Sequence, residues 1–201
     1  MFVITGTSGA GKGTLVKELL RTVPEVQLAV SATTRERRPG EQEGREYWFL
    51  SQEEFAERLE RGEFLEHIDF PWGQRSGTLW SELERIVAAG RAPLLELETY
   101  GALVVRDRVP GSVTIFVKAP TFEELERRLR ERATESAGEI GERLELAREQ
   151  LAQEGEFHYV VVNDDLRRAT AELVEVVRQE LDLATMSGRD SSTHRPAPRA
   201  R

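Results

Sequence analysis

The alternation of apolar and polar positions opens with a buried-strand run, Phe2-Val3-Ile4-Thr5, that passes straight into Gly6-Thr7-Ser8-Gly9-Ala10-Gly11-Lys12-Gly13-Thr14. Leu15, Val16, Leu19 and Leu20 then fall on one face of a helix. An apolar stretch follows at Val26 to Val30, and a polar, glycine-punctuated segment runs from Ser31 to Thr78. Inside that segment Tyr47-Trp48-Phe49-Leu50 predicts a short strand, and Ser51-Gln52-Glu53-Glu54 has the pattern of a capping box that opens a helix. Helical patterning returns at Trp80 to Ala89, Phe122 to Arg132, about Glu139 to Gln153 and about Leu166 to Leu181. Buried-strand runs cover 91–98, 113–117 and 159–162. Strands alternating with helices predict an α/β fold, a parallel sheet flanked by helices with ligands at the carboxyl ends of its strands. The segment 31–78 reads as an inserted subdomain, leaving 1–30 and 79–182 as the core. Residues 183–201 have little to bury and are expected to form a disordered basic tail.

The stretch from Gly6 to Thr14 changes the picture from fold to chemistry. Glycines let a backbone curl around a phosphate, the N-terminus of the following helix adds positive potential, and Lys12 adds a full charge. Strand, glycine-rich turn and helix therefore define a polyphosphate site, a P-loop, built from Gly6, Thr7, Ser8, Gly9, Ala10, Gly11, Lys12, Gly13 and Thr14. The residue after the lysine is Gly13, and the hydroxyl that could ligate magnesium comes one place later, at Thr14. Arginines outnumber lysines 25 to 3, which sets Lys12 apart from the background.

Composition narrows the classes further. The chain has no cysteine, and His67, His158 and His194 lack zinc spacing, so thiolate and structural zinc sites are excluded. A formal net charge of −8, with 24 basic against 35 acidic residues before position 183, argues against a nucleic-acid backbone as main partner. An anionic substrate must be held by local arginines working against the overall field. The run Arg35, Arg37, Arg38 with its Pro39-Gly40 turn, and Arg127, Arg128, Arg132 and Arg143 further on, supply them. On a helix with Leu125 and Leu129 buried, Arg127 faces away while Arg128 and Arg132 flank the stripe. The absence of any ~18-residue apolar run excludes a membrane span, and a core strand at residue 2 leaves no room for a signal peptide, so a cytoplasmic location is expected.

Three ordered motifs, Ser31-Ala32-Thr33-Thr34-Arg35-Glu36-Arg37-Arg38-Pro39-Gly40-Glu41, Gly44-Arg45-Glu46-Tyr47-Trp48-Phe49 and Gly62-Glu63-Phe64-Leu65-Glu66, closely resemble the monophosphate-binding region of guanylate kinases, and the resemblance extends from residue 2 to about 182. It implies a P-loop core, a GMP-binding subdomain at 31–78 and a mobile lid at about 128–143. It implies that Arg35, Arg38 and Tyr47 hold the GMP phosphate, which suits two guanidiniums and a phenol around a dianion. Guanine would be read by Ser31, Glu66, Thr78 and Glu98, a carboxylate accepting from N1–H and the N2 amine that adenine does not offer as a pair. Lid arginines Arg128, Arg132 and Arg143 would close over ATP, with Asn163 near the adenine. Lys12, Arg35, Arg38, Arg128, Arg132 and Arg143 would then neutralise the transferring phosphoryl group, with ATP as co-substrate and Mg2+ held mainly by its phosphates, helped by Thr14 and Glu96.

The chain also departs from that pattern. Ser76, expected among the GMP-binding residues, stands where a second phosphate-holding tyrosine is common, with Arg75 or Tyr100 as conceivable substitutes, and Glu96-Leu97-Glu98 lengthens each acid of a frequent D-I-D by one methylene. The expected activity is transfer of a phosphoryl group from Mg-ATP to GMP, and to dGMP, in purine nucleotide metabolism. Its rivals are a phosphotransferase of the same fold with another acceptor, and a non-catalytic binding module.

Overall fold

The computed structural model describes residues 1–132 and 137–192, with side chains described for 1–131 and 140–185. Strand β1 (Phe2–Gly6) is buried at every position and turns through the glycine loop into α1 (Lys12–Thr22). After β2 (Val26–Leu28) the chain leaves for a separate unit: β3 (Ala32–Thr33), β4 (Trp48–Phe49), α2 (Gln52–Glu60), β5 (Phe64–Asp69) and β6 (Arg75–Leu79). It returns through α3 (Trp80–Ala88) to β7 (Ala92–Glu96), α4 (Thr99–Arg108), β8 (Val113–Lys118), α5 (Phe122–Arg132), α6 (Ala137–Ala152), β9 (Tyr159–Val162) and α7 (Leu166–Ser192).

The main sheet is wholly parallel, in the order β2-β7-β1-β8-β9. Neighbouring positions on its central strands point to opposite faces, so each strand feeds two cores. Ile4, Leu94 and Ile115 pack with Leu15, Leu19, Leu173 and Val177 of α1 and α7. Val3, Leu95 and Phe116 pack with Leu83, Ala102 and Val105 of α3 and α4. The second sheet, β4-β3-β6-β5, has a small core of its own in Ala32, Phe55, Phe64 and Leu79, with Phe55 and Phe64 stacked at 4.3 Å. The capping box at Ser51 and Glu54 is formed in both directions. Leu125 and Leu129 of α5 are buried against Leu144 and Ala147 of α6. No helix among the described residues is long and apolar enough to cross a membrane.

Three elements differ from the sequence expectation. The insert contains four strands where patterning gave one, because β3 is two residues long and Arg75-Ser76-Gly77-Thr78 carries little strand propensity; pairing across the β5–β6 hairpin decides it. Helix α4 goes unsignalled in Thr99-Tyr100-Gly101-Ala102-Leu103-Val104-Val105, where glycine and consecutive valines are poor helix formers, and burial of Ala102 and Val105 overrides them. The last helix runs to Ser192 instead of stopping near Leu181, so the first part of the expected disordered tail is helical. No proline interrupts 182–192, and Thr185 bonds back to the Leu181 carbonyl at 2.9 Å. Residues 193–201 lie outside the described residues, as do 133–136 of the expected lid.

Candidate active site

The glycine loop sits at the carboxyl end of β1, the central strand between β7 and β8, the end of a parallel sheet at which ligands bind. At two glycines there a side chain would be crowded, against backbone at Gly6 and against a side-chain amide at Gly11. A Cβ on Gly6, φ 140°, would lie 1.9 Å from the Val117 carbonyl oxygen of the neighbouring strand. Gly11 caps α1 at φ 87°, and a Cβ there would meet the Asn163 amide at 2.5 Å. That amide, at the end of β9, donates to the Ala10 carbonyl at 2.7 Å and so fastens the loop to the far side of the sheet.

Lys12 folds back over the loop, donating from Nζ to the carbonyls of Gly6 (2.7 Å) and Thr7 (3.2 Å). Burial pulls its pKa down, opposed by the negative charge of Glu98 and Glu96. Glu96 is displaced upward, chiefly by burial, with Lys12 acting against it. Thr7, Ser8, Gly9, Gly11, Lys12, Gly13, Thr14 and Lys17 line a hollow of about 370 Å³ closed on one side by Glu96 and Glu98. Beside it Gly9, Gly11, Thr14, Arg128, Asn163 and Asp164 line a second hollow of about 320 Å³. Arg128 reaches it by donating to the Asn163 carbonyl at 3.0 Å and to Glu124 at 2.7 Å. Arg127, also bonded to Glu124, faces solvent as its helical position predicts; the two guanidiniums hold the Glu124 carboxyl down at about 2.

A third hollow, again about 370 Å³, opens between the main sheet and the insert. Lys12, Ser31, Tyr47, Glu66, Ser76, Glu96 and Glu98 all line it, so one lysine borders both the phosphate loop and this cleft. Glu66 is 5% exposed, and the Thr78 hydroxyl donates to it at 2.7 Å. Burial lifts its pKa, with the Thr78 bonds pulling the other way. Gly101 on α4 leaves the space that carboxylate uses, since a Cβ there would stand 3.0 Å from Glu66 Oε2. Arg35 is held one layer out: it pairs with Glu41 at 2.7 Å and lies over the rings of Tyr47 (5.3 Å) and Phe49 (5.8 Å).

Some expected residues stay apart from these hollows. Arg38 is exposed on its turn, with its backbone N–H donating to Glu41. Arg143 is half-buried on α6, outside the hollows just described, and the Arg132 side chain is outside the described ones. Ser76 lines the cleft, but its hydroxyl donates to the Ala32 carbonyl at 3.0 Å. Neither conceivable substitute for the missing tyrosine lines the cleft. Tyr100 is exposed on α4, and Arg75 pairs with Asp69 at 3.3 Å with its guanidinium over Phe55. Sequence patterning misses Gln150, which is 5% exposed on α6 and donates to Glu98 at 3.2 Å. Its place three residues after Ala147 on the buried face is the signal that would have found it.

Fold and site together define a P-loop α/β protein in which the hollow of the glycine loop and a second, acid-lined cleft share one lysine. The chain belongs to the guanylate kinase family: the family model described as guanylate kinase matches residues 1–180. It is 50% identical over 171 residues to the guanylate kinase of Prochlorococcus marinus strain MIT 9313, covering 85% of this chain and 90% of that one. To the guanylate kinase of Rubrobacter xylanophilus it is 45% identical over 183 residues, covering 89% and 93%. Among solved structures, guanylate kinase from Anaplasma phagocytophilum superposes with a TM-score of 0.69 at 29% identity, over 90% of this chain and 85% of that one.

Proposed function

We propose that the chain transfers the γ-phosphoryl group of ATP to the phosphate of GMP, releasing ADP and GDP. The observation that carries this is Lys12, whose ammonium borders both the loop hollow and the acid-lined cleft and so stands where donor and acceptor phosphates would meet. A GMP phosphate oxygen attacks the γ-phosphorus as the bond from that phosphorus to the ADP oxygen breaks. In-line transfer needs no covalent intermediate, and catalysis is positioning with neutralisation of charge.

Each side chain then has a task. The loop amides and the α1 N-terminus cradle the ATP phosphates, and Lys12 exchanges its two carbonyl partners for phosphate oxygens. Arg128, and Arg143 and Arg132 from the adjoining lid, shield the transferring group. Arg35, Arg38 and Tyr47 hold the acceptor phosphate, which requires the insert to swing Arg35 and Arg38 toward the cleft. Ser31, Glu66, Thr78 and Glu98 read guanine; Glu66, already accepting from Thr78, keeps its other oxygen toward the open space beside Gly101 for the guanine donors. Ser76 serves as a small lining residue, its hydroxyl committed to Ala32. The hydroxyl of Thr14 and the carboxylate of Glu96 offer hard oxygen donors of the kind Mg2+ takes. Among the described residues no group of three or more His, Cys, Asp or Glu is placed to hold a metal ion. Mg2+ held at Thr14 and Glu96 with ATP would supply neutralisation of phosphate charge.

The test is ADP formation with separate acceptors. GMP and dGMP are expected to drive it, and AMP, CMP and UMP to fail; a response to another monophosphate in place of GMP would reassign the acceptor, and binding without any turnover would make the chain a binding module.

A further inference from the structure

The two places where the chain passes between core and insert lie at Val30, before β3, and at the β6–α3 junction. Glu82, on the first turn of α3 just past the second crossing, is 2% exposed and reaches back to the first. The Val30 amide donates to its Oε1 at 2.9 Å, and Arg85 donates to both carboxylate oxygens at 2.8 and 2.9 Å. The fourth donor comes from inside the insert: the indole N–H of Trp48, at 3.4 Å from Oε2. A carboxylate is the one side chain that accepts from all four and donates to none. Burial raises the Glu82 pKa, but the bonds from Arg85, Val30 and Trp48 outweigh it and leave the carboxyl below its ordinary value.

Trp48 is the middle residue of Tyr47-Trp48-Phe49. Successive side chains on a strand point to opposite faces, so while Trp48 turns to Glu82, Tyr47 and Phe49 turn the other way, under the Arg35 guanidinium. Trp48 also seats against Gly44, where a Cβ would be 2.7 Å from the indole ring, and its backbone amide bonds Ser31 at 2.9 Å. The short strand that follows Tyr47, and whose Phe49 ring lies under Arg35, is thus pinned from behind by one indole bond, at the joint across which the insert meets the core. The opposite margin of the insert is fixed separately, by the Arg108 guanidinium donating to the carbonyls of Phe64 and Leu65.

We propose that Glu82 is a positioning residue for the acceptor side of the reaction, acting through Trp48 to hold β4 and with it Tyr47 and Arg35. This rests on the GMP reading above. The replacement Glu82→Gln puts an amide N–H₂ against either the Trp48 indole or the Val30 amide, whichever way it turns, and Trp48→Phe removes the indole donor while keeping a ring against Gly44. In steady-state kinetics both variants are expected to raise KM for GMP about five- to tenfold while KM for ATP stays within about twofold, the pattern of a loss confined to one substrate's site. The double variant is expected to be no worse than Glu82→Gln alone, because the two act through one contact. Equal rises in both KM values, or additive effects, would overturn the proposal and leave Glu82 a merely structural residue. Backbone amide exchange at Trp48 and Leu50, whose N–H groups bond Ser31 and Thr33, is read on the same proteins without nucleotide. Faster exchange there than in wild type, with β1 unchanged, supports the positioning even if wild type proves to use another acceptor; unchanged exchange in both variants overturns it whatever the acceptor is.

Discussion

At the scale of single residues, function is bought at the cost of stability. Lys12 is half-buried with its charge disfavoured, and Glu66 is buried with a carboxylate that would rather be protonated. Lys12→Ala is therefore expected to lower kcat by about a thousandfold or more, in line with the loss of a preorganised phosphate cation, while the melting temperature holds or rises. Near-normal turnover would contradict its role. For Glu66 the sign follows from its raised pKa. The folded chain binds that proton more tightly than the unfolded chain, so this contribution to stability is present below the ordinary carboxyl range and is lost as pH rises through the raised value. Glu66→Gln is expected to melt higher than wild type at pH 8, with the gap closing toward pH 4, and to weaken GMP about a hundredfold by facing guanine's donors with another donor. Thermal melts at the two pH values and GMP calorimetry check both halves. Both residues were legible in the sequence, Lys12 from its loop and Glu66 only through the family motif. The Gly101 space beside Glu66 was not, because a missing side chain leaves no trace in patterning.

At the scale of elements, the strand–loop–helix unit was legible because its signal is local: a buried run, glycines at fixed offsets and an amphipathic helix. Its rigidity comes from distant partners, Val117 behind Gly6 and Asn163 over Gly11, which no local pattern reveals. Gly11→Ala puts a side chain into left-handed backbone and against that amide, and is expected to cost about 1–3 kcal/mol. Its ATP affinity should fall with its stability, read by denaturant titration and calorimetry; wild-type values in both would show that the loop yields freely. The β5–β6 hairpin and α4 were illegible for the converse reason. Their residues have weak or contrary propensities, and tertiary pairing, with the Glu66–Thr78 bond across the hairpin, decides their form. The committed partners of Arg35 were equally hidden, since a run of arginines gives no sign that Glu41 and two rings will hold one of them.

At the scale of the whole molecule, an acidic chain sets Lys12 at the cleft between the main sheet and the insert, with Arg128 on a neighbouring hollow of the core and Arg35 held by Glu41 on the insert. Two sheets, one of them built within the polar interval 31–78, accord with the order of the sequence, but their joint has no local signal, because Glu82, Val30 and Trp48 lie up to 52 positions apart. The account rests on that cleft accepting GMP. The decisive measurement is ADP production from Mg-ATP by the purified chain with GMP, dGMP, AMP, CMP and UMP supplied one at a time. Turnover with GMP and dGMP alone is the predicted result, and would show that Ser76 in place of a tyrosine is tolerated. Turnover with a different monophosphate, or none with GMP, would contradict the account.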